Sequence, residues 1–256
     1  MIEIKNLSKS FGDFKAVNDI NLEVEPGTIF AFLGTNGAGK TTTIKMMTGV
    51  LKPTSGSVSI GGYDISENPI EAKFLMGVIP DRPYIYGKLT GYEFLKFMAD
   101  LYKVPHDTSE QRISDLLEHY GLTSKQNDLV DGYSHGMKQR LLMCASQVHD
   151  PKLLVVDEPM VGLDPKGAKL LKDTFRKRAS EGLTIFMSTH SLSVAEEVAD
   201  KLAIIKNGEI VAHGSLDDLY SQAQSGTSGL ENVFLDIIAE ADEEQIPEQL
   251  KAELQE

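Results

Sequence analysis

The chain has 256 residues and a formal net charge of −13; 41% of it is hydrophobic, 25% is charged, and tryptophan is absent. That length supports one or two domains with a sizeable core, and the acidity argues against a general nucleic-acid binder, which needs a basic face. Apolar stretches such as Ile29–Leu33 and Leu153–Val156 fall far short of the ~20 residues of a membrane-spanning helix.

In chain order, Met1–Lys5 enters directly on an alternating strand pattern, so no signal peptide is expected there. Ile20–Val24, Thr28–Leu33 and Ser57–Ile60 are rich in β-branched residues and predict strands. Asn18–Pro26 and Gly56–Gly62 are short alternating pieces ended by proline or glycine, which suits an antiparallel flank. From 83 to 148 strand patterning stops. Helical spacing replaces it: Phe94, Phe97, Met98 and Leu101, then Ile113, Leu116 and Leu117. Cys144 lies in this region; a single cysteine allows no internal disulfide and here reads as core filler. Strands return at Leu153–Val156, Thr184–Met187, Leu202–Ile205 and Glu209–Ala212, several separated by helix-length segments. That alternation predicts an α/β fold with a mainly parallel, buried sheet.

The expected organisation is a core of residues 1–82 and 149–220, an inserted helical subdomain at 83–148, and a C-terminal piece at 221–256. In the last, Ser221–Gly229 is small and polar, a linker. Leu230, Val233, Phe234, Ile237 and Ile238 share a helical face expected to dock on its own domain. From Leu230 to the end there are nine acidic residues and one basic one, Lys251, which predicts a solvated acidic tail.

Two motifs carry chemistry. Gly34-Thr35-Asn36-Gly37-Ala38-Gly39-Lys40-Thr41, followed by Thr42, lies between a predicted strand and a predicted helix, Lys40–Thr48. This is a P-loop in its required context. Its backbone N–H groups would converge on phosphate oxygens, Lys40 would reach the β- and γ-phosphates, and Thr41 would coordinate Mg²⁺. The strand Leu153–Val156 then ends in Asp157 and Glu158, two carboxylates at the carboxyl edge of a parallel sheet, where ligands of such folds bind. Asp157 is expected to hold Mg²⁺ through water, and Glu158 to orient or deprotonate an attacking water.

Between these two motifs, Tyr133-Ser134-His135-Gly136-Met137 and the following Lys138-Gln139-Arg140-Leu141 resemble the signature motif of ATP-binding cassette (ABC) ATPases. Gly162-Leu163-Asp164 resembles their D-loop, Ser188-Thr189-His190 their switch histidine, and Phe11-Gly12 the aromatic that stacks on adenine. Gly77-Val78-Ile79-Pro80-Asp81 sits where their Q-loop begins. The resemblance covers residues 1 to about 220. It departs from the common LSGGQ at Tyr133, His135 and Met137, and Asp81 stands where the family has glutamine. Such variants resemble the ABC-2-type exporter ATPases.

The resemblance implies ATP and Mg²⁺ as ligands, with Asp81 reaching the metal, if at all, through water. It implies a dimer, a homodimer by default, in which Ser134 and Gly136 complete the partner's site and hydrolysis opens the sandwich. It further implies integral membrane permease subunits as partners, a cytoplasmic location on the membrane's inner face, and no nucleic acid. A soluble, non-transporting ABC ATPase, such as an assembly factor, is the alternative. A regulatory module without turnover is disfavoured by Glu158. His106, His119, His135, His149 and His213 show no metal-ligand spacing. Tyr84, Tyr86, Tyr92, Phe94, Phe97 and Tyr102 read as helix core by default, or as a groove for a partner helix.

Overall fold

The computed structural model describes residues 1–81, 84–222 and 229–244. Alternation builds the first sheet. In β1 (Ile2–Phe11), Ile2, Ile4 and Leu7 are buried while Glu3 and Lys5 are exposed, one face toward the core and one toward water. The chain turns at Gly12-Asp13 into β2 (Phe14–Val24) and pairs antiparallel with β1.

β3 (Ile29–Leu33) starts a second sheet. β4 (Ser55–Ile60) and the short β5 (Tyr63–Asp64) complete the first, in the order β2-β1-β4-β5. The second sheet adds β6 (Met76–Ile79), β7 (Leu153–Asp157), β8 (Thr184–Thr189), β9 (Lys201–Lys206) and β10 (Glu209–Ser215), in the order β10-β9-β3-β8-β7-β6. Only β10 runs antiparallel to its neighbour. Every residue of β3, β7 and β8 is buried, which is why they read as unbroken apolar runs.

The two faces of this sheet feed two cores. Phe30, Phe32, Val155 and Phe186 point toward the antiparallel sheet and α1 (Lys40–Met47). Phe186 stacks on Phe30 with ring centroids 5.7 Å apart and lies 5.6 Å from Phe32; each such ring contributes roughly 1.5–3 kcal/mol by burial. Ala31, Leu33, Leu154, Val156 and Met187 point the other way, toward the helices.

Beyond α2 (Pro69–Phe74), three helices occupy the stretch between β6 and β7: α3 (Gly91–Leu101), α4 (His106–His119) and α5 (His135–Gln147). Thr90 and Glu93 close a capping box at the start of α3, each side chain accepting from the other's backbone N–H. The phase expected for α3 is corrected. Phe94, Leu95 and Ala99 are buried, but Phe97 and Leu101 are 43% and 60% exposed. Packing against α4 and α5 selects the 94/95/99 stripe, and Phe97 turns outward to Tyr86.

α6 (Pro165–Ser180), α7 (Leu192–Val198) and α8 (Leu216–Gln222) follow β7, β8 and β10. α9 (Leu230–Glu244) docks on its own chain as its apolar stripe predicts: Leu230 and Val233 are buried, and Phe234, Ile237 and Ile238 pack beside them. Glu196 on α7 accepts from both Leu230 N and the Tyr220 hydroxyl. The linker expected at 221–229 lies outside the described residues over 223–228, as does the acidic tail from 245 onward, including Glu248, Glu253 and Glu256.

Candidate functional site

Adjacent strands deliver the pieces. β3 and β7 flank β8, and their carboxyl ends carry the P-loop, Asp157 as the last residue of β7, Glu158 just after it, and His190. Gly39 precedes α1 with φ +110°, and a Cβ there would stand 2.6 Å from Ala16 O, so only glycine fits. The loop is fixed behind by Gly208 N donating to Ala38 O at 2.9 Å.

Lys40 is 6% exposed, and its ammonium donates to Gly34 O at 2.7 Å and Thr35 O at 3.1 Å. Burial pushes its pKa down from the ordinary lysine value, while the carboxylates of Glu158 and Asp157 pull it back up. The Thr41 hydroxyl donates to Asp157 Oδ2 at 3.0 Å, and Ser188 Oγ donates to the other Asp157 oxygen. Asp157 is only 3% exposed, and these two hydroxyls give both of its buried oxygens a hydrogen-bond donor.

Glu158 is held in the left-handed region, φ +53°, a conformation that costs about 1–3 kcal/mol and clusters at functional sites. Its backbone N–H donates to Ser188 O at 3.2 Å. Its Oε1 lies 2.9 Å from His190 Nδ1, and Thr189 Oγ1 donates to Oε2 at 3.5 Å. The Glu158 side chain is 14% exposed and the His190 ring 56%. A mostly enclosed carboxylate with an imidazole beside it can bind a water and take its proton.

These groups open onto one cleft of about 480 Å³. It is lined by Phe11, Phe14 and Ala16 from the first sheet, by Asn36, Gly37, Gly39, Lys40, Thr41 and Thr42 from the P-loop and the start of α1, and by Asp81, Glu158, Val161 and His190. Clefts of similar size, about 410 Å³ beside His119 and Arg178 and about 560 Å³ beside Lys201 and Asp218, gather no P-loop and no loop-borne acid–histidine pair. Gly34 and Ala38, though in the P-loop, do not line the cleft. Ser134, Gly136 and Asp164 do not line it. Ser134 caps α5, accepting from Met137 N at 3.3 Å, and Asp164 caps α6, accepting from Gly167 N at 2.8 Å. Tyr133 is buried and donates its hydroxyl to Lys125 O at 2.6 Å.

The donor set suits Mg²⁺. Thr41 Oγ1 and Asp157 Oδ2 supply two hard oxygens at one point, and Mg²⁺ ordinarily takes one or two protein ligands, keeping waters and substrate phosphates for the rest. No cluster of three or more His, Cys, Asp or Glu residues with metal-ligand geometry occurs among the described residues. Asp81 follows β6 and lines the cleft.

Sequence reasoning missed Phe14, Ala16 and Val161. Phe14 was findable, since a two-residue turn after Phe11 sets the two rings across a hairpin, and their Cα atoms are cross-strand partners. The core assignment is corrected for Tyr84, Tyr86 and Phe97: they are 84%, 50% and 43% exposed, joined edge-to-face at 5.7 Å. Phe94 is buried as assigned.

A protein-family profile described as ABC transporter matches residues 17–161. The linearmycin resistance ATP-binding protein LnrL of Bacillus subtilis (strain 168) is 34% identical over 241 residues, 92% of this chain and 78% of that protein. The bacitracin transport ATP-binding protein BcrA of Enterococcus faecalis is 39% identical over 228 residues, covering 89% and 73%. A solved structure of an ATP-binding subunit of an ABC transporter superposes with a TM-score of 0.88 at 32% identity, over 93% of this chain and 99% of that one.

Proposed function

This chain belongs to the ABC transporter family as an ATP-binding subunit and an ATPase, and on that premise we propose that it clasps two ATP molecules in a dimer and drives a separate membrane permease, as an exporter. The observation that carries the reading is the meeting of Lys40, Thr41, Glu158 and His190 in one cleft above Asp157.

Each residue has a part. Lys40 exchanges the carbonyls of Gly34 and Thr35 for phosphate oxygens. Glu158 orients a water and accepts its proton as the water oxygen bonds to the γ-phosphorus and the bond to ADP breaks. His190, beside Glu158, steadies that carboxylate and faces the γ-phosphate. Thr41 directly and Asp157 through water would hold Mg²⁺, which would neutralise β- and γ-phosphate charge; Asp81 would contact it, if at all, through water. Phe11 stacks on the base.

Ser134 and Gly136 stand outside their own chain's cleft, as a role in the partner's site requires. Ser134 starts α5 and presents its N-terminal dipole outward. Loss of the γ-phosphate then removes the charge that holds two copies together. Among the described residues no helix is long and apolar enough to cross a membrane, which supports a separate permease; the exposed Tyr84, Tyr86 and Phe97 offer an apolar seat for one of its helices. Names such as linearmycin resistance and bacitracin transport among the relatives favour export, from the cytoplasmic face.

The test is complementation by mixing. A Cβ at Gly136 meets nothing within 4 Å, so Gly136→Asp leaves the fold and the monomer's ATP affinity intact but abolishes ATP-driven dimerisation and hydrolysis. Lys40→Ala abolishes nucleotide binding. Mixing the two restores one complete site per heterodimer and measurable turnover. Lost ATP affinity in the Gly136→Asp monomer would show that the motif acts within its own chain.

A further inference from the structure

His135 replaces a glycine of the family's signature and has no part in the chemistry above. Its ring is not idle. Gly162 has φ +78°, and a Cβ built on it would collide with His135 Nε2 and Cδ2. The Nε2–Cδ2 edge of the imidazole therefore abuts a backbone that only glycine can offer.

The segment it touches begins at the site. Glu158 O accepts from Val161 N at 3.3 Å, and Met160 O accepts from Leu163 N at 3.3 Å, so Glu158–Leu163 is one compact turn. Val161 in that turn lines the cleft. Asp164 then caps α6 and anchors the far end. On the other side, His135 is the first residue of α5, between Ser134 and Gly136. One van der Waals contact thus joins the helix start that would face the partner's nucleotide to the turn that carries this chain's own Glu158.

We propose that His135 is a positioning residue that couples the two ATP sites: closure of Ser134 and Gly136 on the partner's phosphate pushes the ring against Gly162 and seats Glu158. This rests on the assignment of the signature motif to the partner's site. The physical requirement is met, because the contact is direct and its two ends lie on segments that serve different nucleotides.

The test uses the full chain and steady-state ATP hydrolysis, with unfolding temperature as a check on folding. His135 is exposed, so His135→Ala should fold. It should leave the monomer's affinity for a fluorescent ATP analogue within about two-fold and lower kcat about ten-fold, inside the 10²-fold that a 1 Å misplacement can cost. It should also bring the Hill coefficient to one. His135→Phe, which keeps a flat ring, should retain most of the turnover. In a double-mutant cycle, Gly162→Ala should cost at least about three-fold less in a His135→Gly background than in the wild type, since only the backbone strain remains. Unchanged kcat and cooperativity in His135→Ala, or strictly additive cycle energies, would overturn the coupling. So would non-cooperative hydrolysis by the wild type, while the sandwiched dimer would still stand or fall on the mixing experiment.

Discussion

Glu158→Gln separates binding from turnover most cleanly. Glutamine keeps the length and shape of the side chain and sits at φ +53° no worse than glutamate. Its amide oxygen can still accept from His190 Nδ1, where the present separation is 2.9 Å. Folded stability should therefore stay within about ±0.5 kcal/mol, as for a substitution that breaks no buried network. What disappears is the negative charge and the basic oxygen. Loss of a general base lowers kcat by about 10²-fold or more, at least ~2.7 kcal/mol of barrier. ATP affinity should hold or tighten, because a negative charge next to the phosphate site is gone. Phosphate release at saturating ATP gives kcat, fluorescent-nucleotide titration gives affinity, and light scattering should show the ATP-bound dimer accumulating. A kcat within a few-fold of wild type would refute the role of Glu158, and a ten-fold loss of ATP affinity would move it into the binding machinery.

Asp81→Ala should spare basal hydrolysis and weaken its stimulation by the permease; a basal loss comparable to that of Glu158→Gln would make Asp81 catalytic. Phe11→Ala and Phe14→Ala should each raise KM for ATP roughly five-fold or more with little change in kcat, since base–aromatic stacking is worth about 1–3 kcal/mol; an unchanged KM for Phe14→Ala would remove it from the base site. His149 is pushed from the ordinary 6.5 down to about 4, first by burial, where it stacks on Tyr102 at 3.6 Å and donates to Met76 O. Because the unfolded chain takes up that proton first, stability falls as pH drops from 6.5 toward 4, by at most ~3 kcal/mol and less after screening. Urea unfolding of His149→Gln should show a flatter acid limb over that window, and an identical slope would contradict the assignment.

The most legible parts of this protein were those where chemistry or burial leaves few residue choices. The P-loop stands out because a backbone folded round phosphates needs glycines at set places, and β7 because a strand buried on both faces reads Leu153-Leu154-Val155-Val156 before its two acids. Phe97 and Leu101 were misjudged because the phase of an amphipathic helix is decided by what it packs on, and Phe97 answers to Tyr86, not to the core. β6 was hard to see: four residues with a glycine inside carry little strand signal. The meeting of His135 with Gly162 joins segments far apart in the chain, and no local pattern announces it.

β6 is the outermost strand of its sheet, paired by backbone to β7 on one side only, through Met76 to Ile79. The strands that end at the P-loop, at Asp157 and at His190 are each gripped on both sides. Stiffness round the cleft is therefore unequal: three of its walls are clamped, and the one carrying Asp81 is cantilevered. If a permease loads Tyr86 or Phe97, edge pairing predicts that β6 shifts before the strands paired on both sides. On the proposed coupling to a permease, such input would reach Asp81 while the distances among Lys40, Asp157 and Glu158 hold, much as a lever moves without deforming the bench it is bolted to.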